Sequence, residues 1–360
     1  MMKSNDIKLS VLDVERKYNY EYEEVTYGTD SIVSYGKDNN APILFKNCYR
    51  NSATLKSIID GNVNYILGDN IEVSEEAASW REKVNRTGMT MRQFVANLAQ
   101  SFEMYGGFAF QVIFNKLRMP VELFPMDFSR CRTNEYGTKV FYSKKNWSKW
   151  GTKSTEYEAF NPSTVGMNEN YTQVYYYKGD YNYTVYPLPP FFSAIKDILT
   201  EIECANYSLN SVSSGFSAKY ILNMPKVDNL TDEQKQGIED AIKNKFCGSD
   251  TDANFMLYWQ DGDEALSISK IESDDAPEKF IAIKDNARTN IFTAMRATPN
   301  LFGLPTATTG FNSQEYADAF KLYEKTVIEP VRDVIKESID KVLNIKDSIK
   351  IIPFSIQFNE

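Results

Sequence analysis

Hydrophobic residues recur at helical spacing in the first clearly patterned segment of the chain. Asn51 or Ser52 can cap a helix there, apolar residues follow at intervals of three and four positions, and Gly68 ends the pattern. The segment before it, residues 1–50, is polar, acidic and rich in tyrosine. The sequence therefore predicts an extended or irregular lead-in followed by a helix.

A second helix and a group of strands complete the first half of the chain. This helix begins at a capping box, in which the side chains of Thr90 and Gln93 each accept from the other's backbone N–H, and it ends at Gly106. Short apolar runs separated by tight turns then predict an α+β domain over residues 1–190. The predicted strands are residues 108–114, 121–124, 140–142 and 174–177.

Two long helices of similar length bracket a small insert. Pro189 and Pro190 end the first domain, because consecutive prolines can continue neither a helix nor a central strand. Periodic apolar residues predict long helices at residues 191–213 and 277–297. Residues 216–276 predict a compact α/β insert. Its predicted elements are strands at 220–222, at 255–259 and around 266–268, and a short helix that opens at residue 231.

An uncharged segment joins the second long helix to the last one. Residues 299–312 are rich in proline, glycine and threonine, and they carry no charged side chain, which predicts a loop. A helix is then predicted from residue 313 past residue 340, with a kink near Pro330. The chain ends in a predicted strand at residues 349–358. Loops of this length without structure of their own are more often functional than not.

The composition is that of a folded protein with an acidic balance. Hydrophobic residues make up 42% of the chain and aromatic residues 14%, so ordered structure is expected nearly throughout. The net charge is −9, whereas a tight, non-specific DNA-binding protein is normally basic. Any contact with DNA is therefore not expected to involve the whole surface.

The chain contains no histidine, which removes Ser-His-Asp and Cys-His catalysis and histidine metal sites together. The cysteines Cys48, Cys131, Cys204 and Cys247 are widely spaced and form no CxxC pair, so isolated buried thiols are expected. The sequence predicts no metal site and no cofactor. It has neither the apolar core of a signal peptide nor the roughly 18-residue run of a membrane helix, so a soluble protein is expected.

Short stretches spread along the chain carry a resemblance to a known family. In the N-terminal half they are residues 52–60 (SATLKSIID), 66–68 (ILG), 105–110 (YGGFAF) and 121–126 (VELFPM). In the C-terminal half they are residues 296–303 (RATPNLFG), 311–315 (FNSQE) and 328–330 (IEP). In this order and spacing, over roughly residues 50–345, they resemble the portal proteins of tailed bacteriophages, the HK97- and SPP1-like head-to-tail connectors.

The resemblance implies an α+β portal fold: an α/β wing, two long stem helices, a small α/β clip, a long C-terminal helix, and little or no crown. Along the chain, the resemblance implies an N-terminal arm and wing at 1–190, stem helices at 191–215 and 277–298, a clip at 216–276, a tunnel loop at 299–312, a tunnel and wing helix at 313–345, and a C-terminal wing strand at 346–360.

The resemblance also implies a structural subunit with no catalytic centre. Such subunits form a ring, typically of twelve copies, at one capsid vertex of the virion, after assembly in the host cytoplasm. Double-stranded DNA passes through the ring during packaging and ejection without tight binding. The expected partners are other copies of this chain, the major capsid protein, the terminase large subunit during packaging and the head-to-tail adaptor afterwards, with no membrane.

Three groups of residues are the candidate sites. The tunnel loop would face DNA with the small, neutral residues Pro305, Thr306, Ala307, Thr308, Thr309 and Gly310. Such a loop suits a channel through which DNA slides, since it neutralises no phosphate, although it can also be a simple connection between helices. Lys284 and Arg288 are possible stem channel residues, or members of surface or inter-subunit ion pairs. Lys243, Trp259 and Asp261 are expected to dock partners at the clip.

Two other functions fit parts of the sequence. One is a different ring component of the virion, such as an adaptor or a tail-ring subunit. The other is a carbohydrate-active enzyme with a pair of carboxylates, suggested by the many aromatic and acidic residues. With 49 acidic residues, chance pairs are abundant and the sequence marks none of them as special.

Overall fold

The fold is described here from a computed structural model. It covers residues 22–26, 31–148, 152–167, 170–179, 184–213, 220–224, 234, 236–237, 255–259, 267–270, 276–304 and 313–355. The described chain forms two compact units. The first contains the described residues of 1–47, 59–192 and 310–360, and the second contains those of 48–58 and 193–309.

The described residues form seven α-helices and eleven strands. The α-helices are α1 (Ala41–Asn51), α2 (Ala53–Leu67), α3 (Met91–Tyr105), α4 (Ile195–Ser213), α5 (Ala276–Ala294), α6 (Ser313–Tyr323) and α7 (Glu329–Leu343). The strands are β1 (Asn70–Val73), β2 (Gly107–Phe114), β3 (Pro120–Met126), β4 (Cys131–Thr133), β5 (Lys139–Tyr142), β6 (Thr155–Ala159), β7 (Thr172–Lys178), β8 (Tyr220–Met224), β9 (Phe255–Trp259), β10 (Ser267–Lys270) and β11 (Ile349–Ile352).

The first unit is built on a six-stranded sheet with the order β3-β2-β7-β6-β5-β4. Its neighbouring strands are antiparallel except β6 and β7, which are parallel. A separate antiparallel pair joins β1 to β11, so the segment after α2 is tied to the end of the chain. In the second unit, β8 lies between β10 and β9 and runs parallel to β9.

Helix α3 begins and ends as its sequence predicts. The Thr90 hydroxyl accepts from the backbone N–H of Gln93, and the Gln93 side chain accepts from the backbone N–H of Thr90. At the other end Gly106 takes a left-handed conformation with φ of 76°. A Cβ there would lie 2.2 Å from the carbonyl oxygen of Leu188, so this position needs glycine for both conformation and space.

The prediction of an irregular lead-in is wrong for the end of residues 1–50, which form helix α1. Its buried positions, Ala41, Phe45 and Cys48, have the spacing of a single helical face. Pro42 lies in the first turn, where a missing N–H removes no helical hydrogen bond. Because the helix is short and has a proline near its start, the sequence pattern did not predict it.

Two strands of the large sheet, β4 and β6, were not predicted. Strand β4 has three residues and contains Arg132, which is only 1% exposed. Its guanidinium donates to the carbonyl oxygens of Ser129, Cys131 and Asn39, and it lies over the rings of Tyr35 and Trp147. Burial lowers the pKa of Arg132. Tertiary contacts, not a local pattern, thus place this charge inside the unit.

The C-terminal helix is interrupted before the proline that was predicted to kink it. A π-helical turn at Glu324–Ile328 separates α6 from α7, and the Glu329 N–H donates to the Glu324 carbonyl. Pro330 supplies no N–H, so the hydrogen-bond ladder must adjust there. Helix α7 ends at Leu343, where Asn344 is left-handed. The predicted strand 349–358 is shorter in the structure: β11 ends at Ile352, and residues 356–360 lie outside the description.

Candidate functional site

The two long helices of the second unit pack against each other in antiparallel fashion. Near the start of α4 the Asp197 carboxylate accepts from the Asn290 side chain, near the end of α5, at 2.8 Å. Further along, the rings of Tyr207 and Phe280 stack with centroids 4.3 Å apart. Each helix has 19 residues and is therefore about 28 Å long. Helix α4 begins at Ile195, later than predicted, after a 3-10 turn at Phe192–Ala194.

The buried side of this helix pair combines an apolar stripe with one carboxylate. Ile198, Ala287 and Ile291 are buried, as their helical spacing predicts. Glu201 is also buried, and its two oxygens accept from the hydroxyls of Ser52 and Thr54. These hydroxyls lie at the N-terminus of α2, where the helix dipole favours a negative charge.

Several apolar residues of the same pair are left exposed. Leu209 belongs to the apolar stripe predicted for α4, yet it is 64% exposed, and Ile283 of the α5 stripe is also exposed. Ile281 is exposed as well. At 100° per residue, Ile281 and Ile283 lie on opposite flanks of the α5 face that carries Phe280. A single copy of the chain therefore leaves apolar surface on both flanks of this helix.

Only some of the predicted site residues are among those that the structure describes. Lys284 is exposed and Arg288 half-exposed, one turn apart on α5, and neither pairs with a carboxylate among the described residues. Trp259 is the last residue of β9, where its backbone pairs with Met224. The remaining predicted site residues lie outside the described residues. They are Lys243, Asp261, Pro305, Thr306, Ala307, Thr308, Thr309 and Gly310.

The predicted loop at 299–312 opens with a short turn. Pro299–Phe302 form a 3-10 turn that ends at Gly303, which has a φ of 80°. Leu301 of this turn is buried, and the ring of Phe302 lies 6.1 Å from that of Phe292 on α5. The first residues of the uncharged segment are thus anchored against the second long helix.

Sequence reasoning missed the turn between β2 and β3. This turn exposes Leu117, which lies between Lys116 and Arg118, and Met119, which follows Arg118. Apolar residues that alternate with basic ones in a tight turn are the signal that could have found it. The turn leads into β3, which is an edge strand of the large sheet.

Three of the four cysteines are buried and unpaired, as expected for isolated thiols. Burial raises the pKa of Cys48 and of Cys131 to about 12. Cys247 lies outside the described residues. In the described part of the chain, no three His, Cys, Asp or Glu side chains come together as a metal site would need. No helix there combines the length and apolar character required to span a membrane.

The family follows from a comparison with known sequences. A family model described as phage portal protein matches residues 67–359. The chain belongs to the phage portal protein family. No curated protein matches it at the sequence level.

Solved structures of gene transfer agent particles are similar to this phage portal family member. The neck of an empty gene transfer agent particle, computed with six-fold symmetry, has a TM-score of 0.60 and 14% identity, over 91% of this chain and 86% of that one. The neck of a native particle of this kind, computed with twelve-fold symmetry, has a TM-score of 0.52 and 15% identity, over 83% and 78%.

A crystal structure from a further source gives the same fold. An HK97-family phage portal protein from Corynebacterium diphtheriae has a TM-score of 0.54 and 10% identity, over 85% of this chain and 94% of that one. These likenesses confirm the predicted α+β portal fold. The family assignment makes the chain a portal protein, a head-to-tail connector component of bacteriophages.

Proposed function

We propose that copies of this chain form a ring of twelve at one vertex of a virion, and that double-stranded DNA is packaged and ejected through it. The family match over residues 67–359 carries this proposal. Two of the similar structures are necks of particles computed with six-fold and twelve-fold symmetry, which supports a ring in this position. The subunit acts as a structural gate and not as an enzyme.

The helix pair α4–α5 is the proposed stem of each subunit. Its exposed apolar residues lie on both flanks of α5, as a subunit with a neighbour on each side requires. When one surface of a chain binds a different surface of the next copy, the copies form a closed ring if a whole number of the rotations between neighbours makes one full turn. Burial of Leu209, Ile281 and Ile283 between stems would stabilise that ring.

The other parts follow the family order. The six-stranded sheet with α3 forms the wing, the sheet β10-β8-β9 belongs to the clip, and residues 299–312 form the tunnel loop. Helices α6 and α7 are the tunnel and wing helix, and β11 is the C-terminal wing strand. The proposed wing sheet lies in the first unit, and the proposed stem helices and clip sheet lie in the second.

DNA contacts are proposed to be weak and local. The uncharged tunnel loop, residues 305–310, offers no cation to hold a phosphate, and a chain with a net charge of −9 repels a polyanion overall. Lys284 and Arg288 on α5 are proposed to line the stem channel, where two cations per subunit attract phosphates without enclosing them. The duplex therefore slides in both directions.

The proposed partners are proteins of the particle. The wing meets the major capsid protein, and the clip, through Lys243, Trp259 and Asp261, docks the terminase large subunit and later the head-to-tail adaptor. The subunit is made in the host cytoplasm and ends in the virion. The family match favours this role over an adaptor or tail-ring subunit, and an assay of glycan hydrolysis by the purified chain tests the enzymatic alternative.

The DNA path is tested by placing charge in the tunnel loop. Thr306→Lys together with Thr308→Lys in the particle that carries this chain adds two cations per subunit to the proposed channel. We expect slower packaging and slower ejection with ring assembly unchanged, measured as DNA retained per particle over time. Ser148→Lys, at an exposed position of the first unit, is the control. Packaging and ejection rates equal to the control would contradict DNA contact by this loop.

A further inference from the structure

The turn between β2 and β3 concentrates exposed apolar side chains at one end of the large sheet. Leu117 is 81% exposed and Met119 is 57% exposed. Val121, the second residue of β3, is also exposed. Three large apolar side chains in water within five consecutive positions are unusual for a surface turn, and such patches commonly mark interaction sites.

The same turn is held in one conformation by its own hydrogen bonds. The side-chain oxygen of Asn115 accepts from the backbone N–H of Leu117 at 2.9 Å and from that of Met119 at 3.0 Å. The backbone N–H of Asn115 donates to the Met119 carbonyl, and that of Arg118 to the Asn115 carbonyl, each at 2.9 Å. A turn ordered in advance loses little conformational entropy on association.

The charge of the turn is opposite to that of the whole chain. Lys116 and Arg118 are exposed on either side of Leu117, and neither has an acidic partner among the described residues. The chain as a whole carries a net charge of −9. The turn is therefore complementary to the acidic surface of a second copy of the same chain.

A recess of suitable chemistry lies on the same unit, between α2 and α3. Its volume is 230 Å³, and it is lined by Asp60, Val63, Asn64, Ala96, Asn97 and Gln100. Val63 and Ala96 offer apolar contact, while the Asp60 carboxylate and the amide oxygens can accept from an ammonium or guanidinium group. The recess thus matches the turn in both apolar and charged character.

We propose that the β2–β3 turn of one copy inserts into the α2–α3 recess of the next copy. Leu117 contacts Val63 and Ala96 there, and Lys116 or Arg118 approaches Asp60. This inference rests on the ring proposed above. Because the turn and the recess are different surfaces of one chain, the contact is heterologous, and it passes from each copy to the next around a closed ring.

Cysteine cross-linking in the full-length chain tests this contact. In a Cys247→Ser background, Leu117→Cys is combined with Asn64→Cys; the buried Cys48, Cys131 and Cys204 are sheltered from the cross-linker. We expect a short bis-maleimide to give a ladder of covalent oligomers on a denaturing gel. Mixed copies that each carry only one of the two new cysteines should stop at dimers. Tyr136→Cys with Asn64→Cys, at the exposed turn between β4 and β5, is the matched control and should give none.

Electron microscopy of the same samples separates the possible failures. Rings that form without a cross-link ladder, or with only a cross-link inside single chains, would overturn this inference and leave the proposed function standing. A sample that never forms rings would overturn the proposed function itself.

A second variant measures the contact without cross-linking. Leu117→Asp with Met119→Ser should raise the concentration needed for half-assembly about tenfold or more, with the thermal unfolding of the chain unchanged. An unchanged assembly concentration would count against the contact.

Discussion

Arg332 of α7 donates to the carbonyl oxygen of Ile66 at 2.9 Å, so that one of the last helices of the chain closes the end of α2. Its other nitrogens donate to the Tyr65 carbonyl and to the Glu324 carboxylate. Arg92 of α3 donates to the next two carbonyl oxygens of the same helix end. The last four carbonyls of a helix lack the usual helical partner. Here the backbone N–H of Gly68 donates to the first two of them, and the two arginines donate to the last three.

Loss of the Arg332 guanidinium should therefore destabilise the first unit. Arg332→Met leaves the Glu324 carboxylate and the Ile66 carbonyl without their donor, whereas the Tyr65 carbonyl still accepts from the backbone N–H of Gly68. We expect the free energy of unfolding in urea to fall by about 3–5 kcal/mol. Lys325→Met, which removes an exposed ion pair with Glu329, should change it little. Adding Glu324→Leu to Arg332→Met should recover part of the loss. Similar losses for Arg332→Met and Lys325→Met would refute this account of the helix end.

Alanine substitutions at two left-handed glycines distinguish the cost of backbone strain from the cost of steric overlap. Gly88→Ala introduces a left-handed alanine into open space, and it should reduce the free energy of unfolding by roughly 1–2 kcal/mol. Gly106→Ala adds an overlap with the backbone carbonyl of Leu188, so its loss should be larger by about 1–3 kcal/mol. Chemical denaturation of both variants compares them directly. Equal losses of unfolding free energy for the two variants would show that the backbone around Gly106 shifts to make room for the added methyl group, and would contradict the predicted overlap.

Exposed apolar residues on the α4–α5 pair should affect assembly more than folding. Leu209→Glu places a charge where the proposed ring buries an apolar side chain, and we expect the ring to dissociate at a higher protein concentration while the helical circular dichroism stays the same. Asn206→Glu adds the same charge at another exposed position of α4 and is the control. Mass photometry over a dilution series measures both. Parallel dissociation curves would remove Leu209 from the proposed interface.

The buried cysteines should respond to pH in a defined direction. Burial raises the pKa of Cys48 and Cys131 from the ordinary value of 9.0 to about 12, so the folded state holds both thiols protonated. Their contribution to stability is present below pH 9 and is lost as pH rises toward 12. Alkylation at pH 9, followed by mass spectrometry, should label both cysteines in urea and neither in the native protein. Rapid labelling of native Cys131 would contradict its burial.

The parts of the fold that could be predicted from sequence are those with long local patterns. The capping box at Thr90 and the apolar periodicity around Ile198 and Ile291 each fix an element without help from the rest of the chain. Helix α1 has only four buried positions, one of which is the proline in its first turn, so its pattern is too short to read. Strands β4 and β6 exist because neighbouring strands pair with them.

The candidate site also contains features that the sequence could predict and features that it could not. Lys284 and Arg288 were predicted one turn apart on the second long helix, and they lie one turn apart on α5, while their role in a channel stays a prediction. The exposure of Leu209 and Ile283 could not be predicted, because helical periodicity identifies an apolar face without saying whether the same chain covers it. The β2–β3 turn was missed for a related reason: the alternation of Leu117 with basic residues is short, and only the structure shows that this side chain is exposed.

Negative-stain electron microscopy of the purified full-length chain, together with a measured particle mass, tests the central claim most directly. A portal subunit should give annular particles with a central hole and a mass near twelve times that of one chain. Monomers at every concentration, with no annular particles among them, would contradict the proposed function.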